Sequence, residues 1–200
     1  MPPSSPKQKR PLRGSPAATR ARLVAAAAKV FNTDGYHGTD SNRIAQVAGY
    51  SPGTFYKHFK DKREIFLAAY ETWVVSEWEA VEVELFAGKS PELIARRLAL
   101  LTVDFHTRWR VLRASLLELA FADPEVRRFY RQKRRAQLDL MAKLRIRLGT
   151  RVHSREEDAV QLFTMERCCD AIAQGELRDL GLNRDAIIAV LTARVLESLA

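Results

Sequence analysis

Cysteine is nearly missing from this 200-residue chain: there are two, Cys168 and Cys169, and they are neighbours. Adjacent cysteines build no disulfide framework, and the expected compartment is a reducing cytoplasm. No run of 18 or more apolar residues occurs, which excludes a transmembrane helix. No apolar stretch follows the basic N-terminus, as a secretory signal would require. The four histidines and two cysteines lack metal-ligand spacing, so no metal is expected. A phosphate-cradling glycine loop and a nucleophile elbow are both missing, and no cofactor is expected. Two catalytic combinations merit weighing, His106 with Glu118 and the vicinal cysteine pair. The first pair is twelve residues apart across a helix break, and cysteines on an amphipathic helix usually serve as small core residues. The chain is not expected to be an enzyme.

Acidic residues are scarce in one region only. Residues 1–60 carry ten Lys and Arg against Asp34 and Asp40, whereas the remaining 140 carry 23 against 22. A basic third joined to a near-neutral remainder points one end of the molecule at a polyanion, nucleic acid ahead of an anionic membrane surface.

Strand alternation and internal repeats are also lacking, and the fold class is all-α. Residues 1–16 hold five of the eight prolines and four basic residues, and are expected to form a disordered basic arm. Beyond them, Ser51-Pro52, Ser90-Pro91 and Asp123-Pro124 pair a capping side chain with a proline that has no N–H to leave unsatisfied. Asp61 with Glu64 and Ser154 with Glu157 have capping-box spacing. Gly35, Gly49, Gly88, Gly149 and Gly181 mark helix ends. Nine helices follow, at about 18–34, 40–47, 51–59, 61–86, 91–108, 110–122, 124–148, 155–176 and 184–199, with boundaries good to roughly 2–4 residues.

The first four helices come in short pieces. Leu23, Ala27, Val30, Phe31, Ile44, Ala45, Val47, Phe55, Phe59, Ile65, Phe66 and Ala69 provide one small trihelical core. Between helices two and three, Ala48-Gly49-Tyr50-Ser51 is a turn short enough to set them at a steep angle, so that the third projects toward a major groove. Ser51, Thr54 and Tyr56 supply hydroxyls there, Lys57 and His58 supply charge, and Gly53 permits close backbone approach. Ser41 and Arg43 can reach the flanking backbone, and Lys62 stands at a helix N-terminus suited to phosphate.

The run Gly35-Tyr36-His37-Gly38-Thr39, followed by Ile44-Ala45-Gln46-Val47-Ala48-Gly49-Tyr50-Ser51-Pro52-Gly53-Thr54-Phe55-Tyr56-Lys57-His58-Phe59-Lys60-Asp61-Lys62, closely resembles the TetR family of transcriptional regulators. The resemblance covers residues 17–70. Tyr50 stands where the family has a small aliphatic, and Phe55 where it has Leu; Tyr50 adds either a contact to DNA or simple packing. The resemblance implies phosphate contacts from Tyr56, His58 and Lys62, and base-edge or nearby contacts from Ser51, Pro52, Gly53, Thr54 and Lys57. It implies a helix-turn-helix domain over 17–62 and an effector-binding and dimerisation domain over 63–200. The expected partners are double-stranded operator DNA, a second copy of the chain and a small-molecule effector, with no membrane. The implied function is a homodimeric repressor released from its operator by that effector, activation being the alternative polarity. A DNA-binding protein with no effector is the other reading.

In the second domain, Tyr70, Trp73, Phe105, His106, Trp109, Arg113, Leu117, Phe121 and Met141 are expected to line the effector site, with Trp78 and Phe86 as further candidates. The stripe Leu162, Met165, Cys169 and Ile172 and the stripe Ile188, Leu191, Val195 and Leu199 are expected to form a four-helix dimer interface, intramolecular core being the alternative. Arg108, Arg110 and Arg113 meet an anionic effector or form a solvated face. The basic run Arg127, Arg128, Arg131, Lys133, Arg134 and Arg135 is expected on the surface.

Overall fold

The computed structural model describes residues 15–199, and the expected arm lies outside them save for Ser15 and Pro16. Those two belong to the first helix: the Ser15 hydroxyl caps α1 (Pro16–Asp34) by accepting from the Ala18 N–H at 3.2 Å. Then come α2 (Ser41–Val47), α3 (Pro52–Tyr56), α4 (Lys62–Leu85), α5 (Pro91–Arg108), α6 (Arg110–Ala122), α7 (Pro124–Leu148), α8 (Arg155–Gln174), α9 (Glu176–Asp179) and α10 (Arg184–Leu199). The described residues thus contain ten helices and no strand, where nine helices were expected. The tenth arises because Gly175, at φ 80°, ends α8 in the left-handed region and a single further turn follows before Gly181. The break expected between α5 and α6 falls on Trp109.

Each helix start has a local cause. Ser51, Ser90 and Asp123 each accept from backbone N–H groups ahead of a proline in the first turn. Ser154 and Glu157 form a full capping box. Asp61 accepts from the Glu64 N–H at 2.7 Å, while the Glu64 carboxylate reaches back one residue further than a capping box does, to the Lys60 N–H at 2.8 Å.

The chain forms two compact units, one ending at Ala69 and one beginning at Tyr70. The first therefore extends past the expected boundary at 62, because the opening of α4 supplies Ile65, Phe66 and Ala69 to its core. That core is aromatic: Phe31, Phe55, Phe59 and Phe66 are all buried, and Phe31 meets Phe66 edge-on with centroids 5.0 Å apart. Gly38 is required by space, since a Cβ there would lie 2.1 Å from the Asp34 carbonyl oxygen.

In the second unit α5 is the central helix. Ile94, Ala95 and Leu98 pack with Leu85, Leu144 and Val195, while Ala99 and Val103 pack with Cys169, Ile188 and Leu191. Deleting a buried aromatic from a small core leaves a cavity that neighbours fill only in part. Phe31→Ala is expected to destabilise the first unit by about 3–5 kcal/mol in urea unfolding followed by circular dichroism. A loss below about 1 kcal/mol would mean that this ring is not central to the core.

Candidate nucleic-acid interface and buried cavity

In the first unit the turn between α2 and α3 is set by Gly49, at φ 79°, and by the Tyr50 N–H donating to the Ala45 carbonyl at 2.9 Å. These fix α3 against α2 and leave its first residues outward. Ser51, Pro52, Gly53, Tyr56 and Lys57 are exposed, with Tyr56 at 57%. Thr54 and His58 are half-buried. The Ser51 and Thr54 hydroxyls lie 3.1 Å apart, and the Ser51 Oγ accepts from the Thr54 N–H, so the cap also orders the start of the exposed face. Exposed Arg43 is turned by an ion pair with Asp34 at 2.9 Å.

Three expected contact residues are committed elsewhere. Tyr50 is only 9% exposed, and its hydroxyl faces Thr19 and Arg22 of α1, which lower its pKa. The larger ring packs inward where the family has a small aliphatic, so the contact reading of Tyr50 is corrected to packing. Ser41 is buried as well, which removes its side chain from the outer surface. The Lys62 ammonium donates at 2.8 Å to the carbonyls of both Tyr36 and Thr39 and sits 4.3 Å from the Tyr36 ring centroid. Burial lowers its pKa, against the opposing charge of Asp40. Lys62 thus ties the α1–α2 loop to the start of α4.

The second unit holds a buried ionic network. Arg113 of α6 donates through Nε to Asp170 Oδ1 at 2.6 Å and through its terminal nitrogen to Glu166 Oε2 at 3.2 Å. His106 Nδ1 lies 2.8 Å from the same Asp170 oxygen. Arg134 of α7 pairs with the other Glu166 oxygen and also donates to the Tyr130 hydroxyl at 2.8 Å and to Gln137 at 3.1 Å. The surface expectation for Arg134 is corrected here, and so is the solvated-face alternative for Arg113. Arg113 and Arg134 are both buried, because each has a carboxylate of α8 to neutralise it. The histidine's partner is Asp170 rather than Glu118. A second buried pair joins Arg145 Nε to Asp158 Oδ1 at 2.9 Å, with Gln161 accepting from Arg145 at 2.7 Å.

Beside the network lies a cavity of about 140 Å³. Apolar side chains make most of its wall, among them Trp78, Leu98, Met141, Leu162, Met165 and Leu199, and Glu77 and Glu166 are its acidic members. Of the nine residues expected to line an effector site, Met141 alone lies on this cavity. Tyr70, Trp73, His106 and Arg113 are buried in and around the ionic network, and Phe105 is core. Trp109 forms the break between α5 and α6, Leu117 is exposed, and Phe121 is 87% exposed. Among the further candidates Trp78 lines the cavity, and Phe86 lies under the Arg147 guanidinium instead.

Five of the eight residues expected at a dimer interface, Leu162, Cys169, Ile188, Leu191 and Val195, are buried within the chain, and Met165, Ile172 and Leu199 are half-buried. Cys169, Ile188 and Leu191 are buried in the core around α5, joined by Ile172; Leu162, Met165, Val195 and Leu199 line the cavity. The outward faces of the same helices carry Val160 and Phe163 on α8 and Val190 on α10, each at least half exposed. Helical spacing adds Thr164 and Arg167 to the first face, and Ala186, Ala189 and Ala193 to the second.

Residues 23–69 match the model of the tetR family of bacterial regulatory proteins. The N-terminal unit belongs to the TetR family. The regulator AcrR from Shigella flexneri is 34% identical over 106 residues, 52% of this chain and 48% of that protein. The chain thus spans about half the length of this curated relative. Over at least 90% of the chain the fold is shared with solved regulators. The fatty acid degradation regulator FadR from Bacillus halodurans superposes with a TM-score of 0.69 at 17% identity, covering 92% of this chain and 96% of that one. A Saccharomonospora viridis protein solved in complex with choline superposes at 0.67, with 17% identity, 90% of this chain and 95% of that one. Among the described residues no helix is long and apolar enough to cross a membrane, and no cluster of His, Cys, Asp or Glu is arranged to hold a metal ion.

The ionic network makes a stability prediction. Burial raises the Asp170 carboxyl, but hydrogen bonds from His106 and Arg113 and the charge of Arg113 outweigh it and hold it at about 2. A folded value below the ordinary 3.8 contributes stability that is complete above that pH and lost as pH falls through about 2. Arg113→Met strands Asp170 and half of Glu166 in the interior. It is expected to cost about 3–5 kcal/mol in urea unfolding at neutral pH and to flatten the acid limb of stability between those two values. An unchanged acid limb would show that Arg113 does not hold Asp170 ionised.

Proposed function

We propose that the chain is a homodimeric transcriptional regulator, most simply a repressor, that binds operator DNA through α2 and α3 and is released by a small molecule in the second unit's cavity. The observation that carries this reading is the exposed start of α3, fixed by the Gly49 turn within a basic unit that matches the TetR model. Tyr56 and His58 contact phosphate and fix register, while Lys57 and Thr54 read base edges from the major groove. Exposed Ser51, Pro52 and Gly53 bring backbone close to the DNA, with Arg43 on the flanking strand. Lys62 serves the phosphates indirectly, by fixing the loop ahead of α2.

Two-fold operators need two recognition helices at a spacing near ~34 Å or a multiple. The outward apolar faces of α8 and α10 supply a self-complementary surface for that pairing. The cavity supplies the sensor: four of its lining residues, Glu77, Trp78, Val81 and Leu85, belong to α4, which begins in the DNA-binding unit. A ligand that reseats this stretch of α4 favours one state of the dimer over the other.

The test is fluorescence-anisotropy titration of the protein onto DNA from upstream of its own gene, beside scrambled DNA, at several salt concentrations. Preference of about 10³-fold or more with a steep negative salt slope supports the reading. Equal weak binding to these DNAs and to everything recovered by selection from random sequence would sink it. On the operator so defined, Tyr56→Ala is expected to weaken all single-base variants nearly equally. Lys57→Ala is expected to change which base is preferred at one position, by about 1–3 kcal/mol. For the dimer, Phe163→Glu with Val190→Glu is expected to yield a folded monomer by light scattering that no longer binds the operator tightly. A double variant that stays dimeric would move the interface off these faces.

A further inference from the structure

The ionisable groups in and around the cavity nearly all have partners. Glu166 is held by Arg113 and Arg134, and Asp170 by Arg113 and His106. Arg145, the one arginine on the lining, is held by Asp158, Gln161 and the Ser198 carbonyl. Glu77 is the exception: it lines the cavity yet has no hydrogen bond or ion pair with any described residue. A half-buried carboxyl without a hydrogen-bonding partner, on a cavity wall that is mostly apolar, is an expensive arrangement that a bound group can relieve.

The sign of that group follows from the inventory. An anionic head would face Glu77 and Glu166 and find the lining's arginine already engaged. A positive head would pair with the one carboxyl of the lining that makes no ion pair of its own. Trp78 is on the same wall, and indole is the best aromatic partner for a cation. Size is bounded as well, because a cavity of about 150 Å³ takes a molecule such as benzene.

We propose that this cavity binds a small organic monocation, an ammonium head set against Glu77 on an apolar body of roughly six carbon atoms. The inference rests on the reading of the cavity as the effector site and adds the chemical class. Burial, reinforced by the neighbouring charge of Glu166, pushes the Glu77 carboxyl up to about 8. Affinity for a cation therefore rises as pH climbs through that value. The charged groups that face Glu77 are Glu166 and Asp170 of α8, Arg113 of α6 and Arg134 of α7, with His106 of α5 on Asp170.

The experiment is isothermal titration of the full chain at pH 8.5 with three probes of one hydrocarbon length, hexylammonium, hexanoate and hexan-1-ol. Hexylammonium keeps its proton there, as a lysine side chain of pKa about 10.4 does. It is expected to bind at least tenfold more tightly than the other two. Glu77→Gln is expected to remove at least tenfold of that affinity and leave hexan-1-ol within twofold. Should the variant fail to fold, the wild-type protein still decides. Between pH 6 and 8.5 the hexylammonium affinity is expected to rise severalfold while that of hexan-1-ol stays flat. A flat hexylammonium profile, a hexanoate or hexan-1-ol affinity equal to it, or a preference that survives Glu77→Gln would overturn the assignment of a cation. No binding by any of the three would overturn the cavity as a ligand site altogether. Tight hexylammonium binding that leaves the operator complex intact would uphold the inference and defeat the effector reading alone.

Discussion

The second unit depends on getting Arg113 beside Asp170 and Glu166 without water. Helices α5, α6, α7 and α8 each place one or more polar groups at that point, and the two guanidinium groups and two carboxylates balance in charge. Removing ions from water costs several kcal/mol for each, and their mutual attraction returns this only when geometry is good. The network is therefore weak as a source of net stability and strong as a constraint on register. Sliding α8 by one residue would turn Glu166 and Asp170 away from Arg113 and strand all four charges. Apolar neighbours such as Leu162 and Cys169 would tolerate the slip far better, since dispersion contacts are not directional. The network is thus what selects one packing of amphipathic helices over its near-equivalents.

The first unit achieves the same end by different means. Its helices are short and its buried centre is aromatic, so ring geometry and caps do the ordering. Phe31, Tyr36 and Phe66 meet within 6 Å between centroids, and Lys62 crosslinks two loop carbonyls. Charge stays outside: Arg20, Arg22, Lys29, Arg43, Lys57 and Lys60 are all exposed. A basic exterior over an uncharged core leaves the surface free to meet a polyanion at little cost to folding.

This difference explains what could be read from the sequence. The helices of the first unit were legible to within about three residues because their determinants are local: a cap at Ser51, a glycine at 49, a proline at 52, and apolar residues at helical spacing. Where the reading failed there, at Tyr50, Ser41 and Lys62 and at Val47, which is half exposed, the signal was a residue type that suits either burial or exposure. In the second unit, helices with two apolar faces defeat periodicity. On α8 the stripe through Leu162 and Cys169 and the one through Val160 and Phe163 both repeat at helical spacing, and spacing alone does not say which faces inward. On α7 six basic residues look alike in sequence. Arg134 is buried only because Glu166, 32 positions away, is there to receive it. Glu77 was missed for the same reason: a lone glutamate on a helix reads as solvated surface unless its surroundings are known.

The cavity's size limits how any ligand can act. A seven-atom ligand has a ceiling of about 10 kcal/mol, taking roughly 1.5 kcal/mol per non-hydrogen atom for the best small ligands. Reversing a two-state balance from 1:99 to 99:1 needs about 5.5 kcal/mol of differential affinity. One such ligand would have to lose more than half of its binding energy in the disfavoured state, which requires the cavity to be largely dismantled there. In a dimer two ligands share the task, and each needs to supply only about half of that difference. Losing one charge-assisted contact, at about 1.5–3 kcal/mol, then supplies most or all of each site's share. A single contact such as that of Glu77 can therefore govern the switch with little remodelling, provided that both sites belong to one assembly. The unpaired carboxyl and the outward apolar faces of α8 and α10 are in this sense parts of one device: the small cavity is an adequate sensor only if the chain is paired.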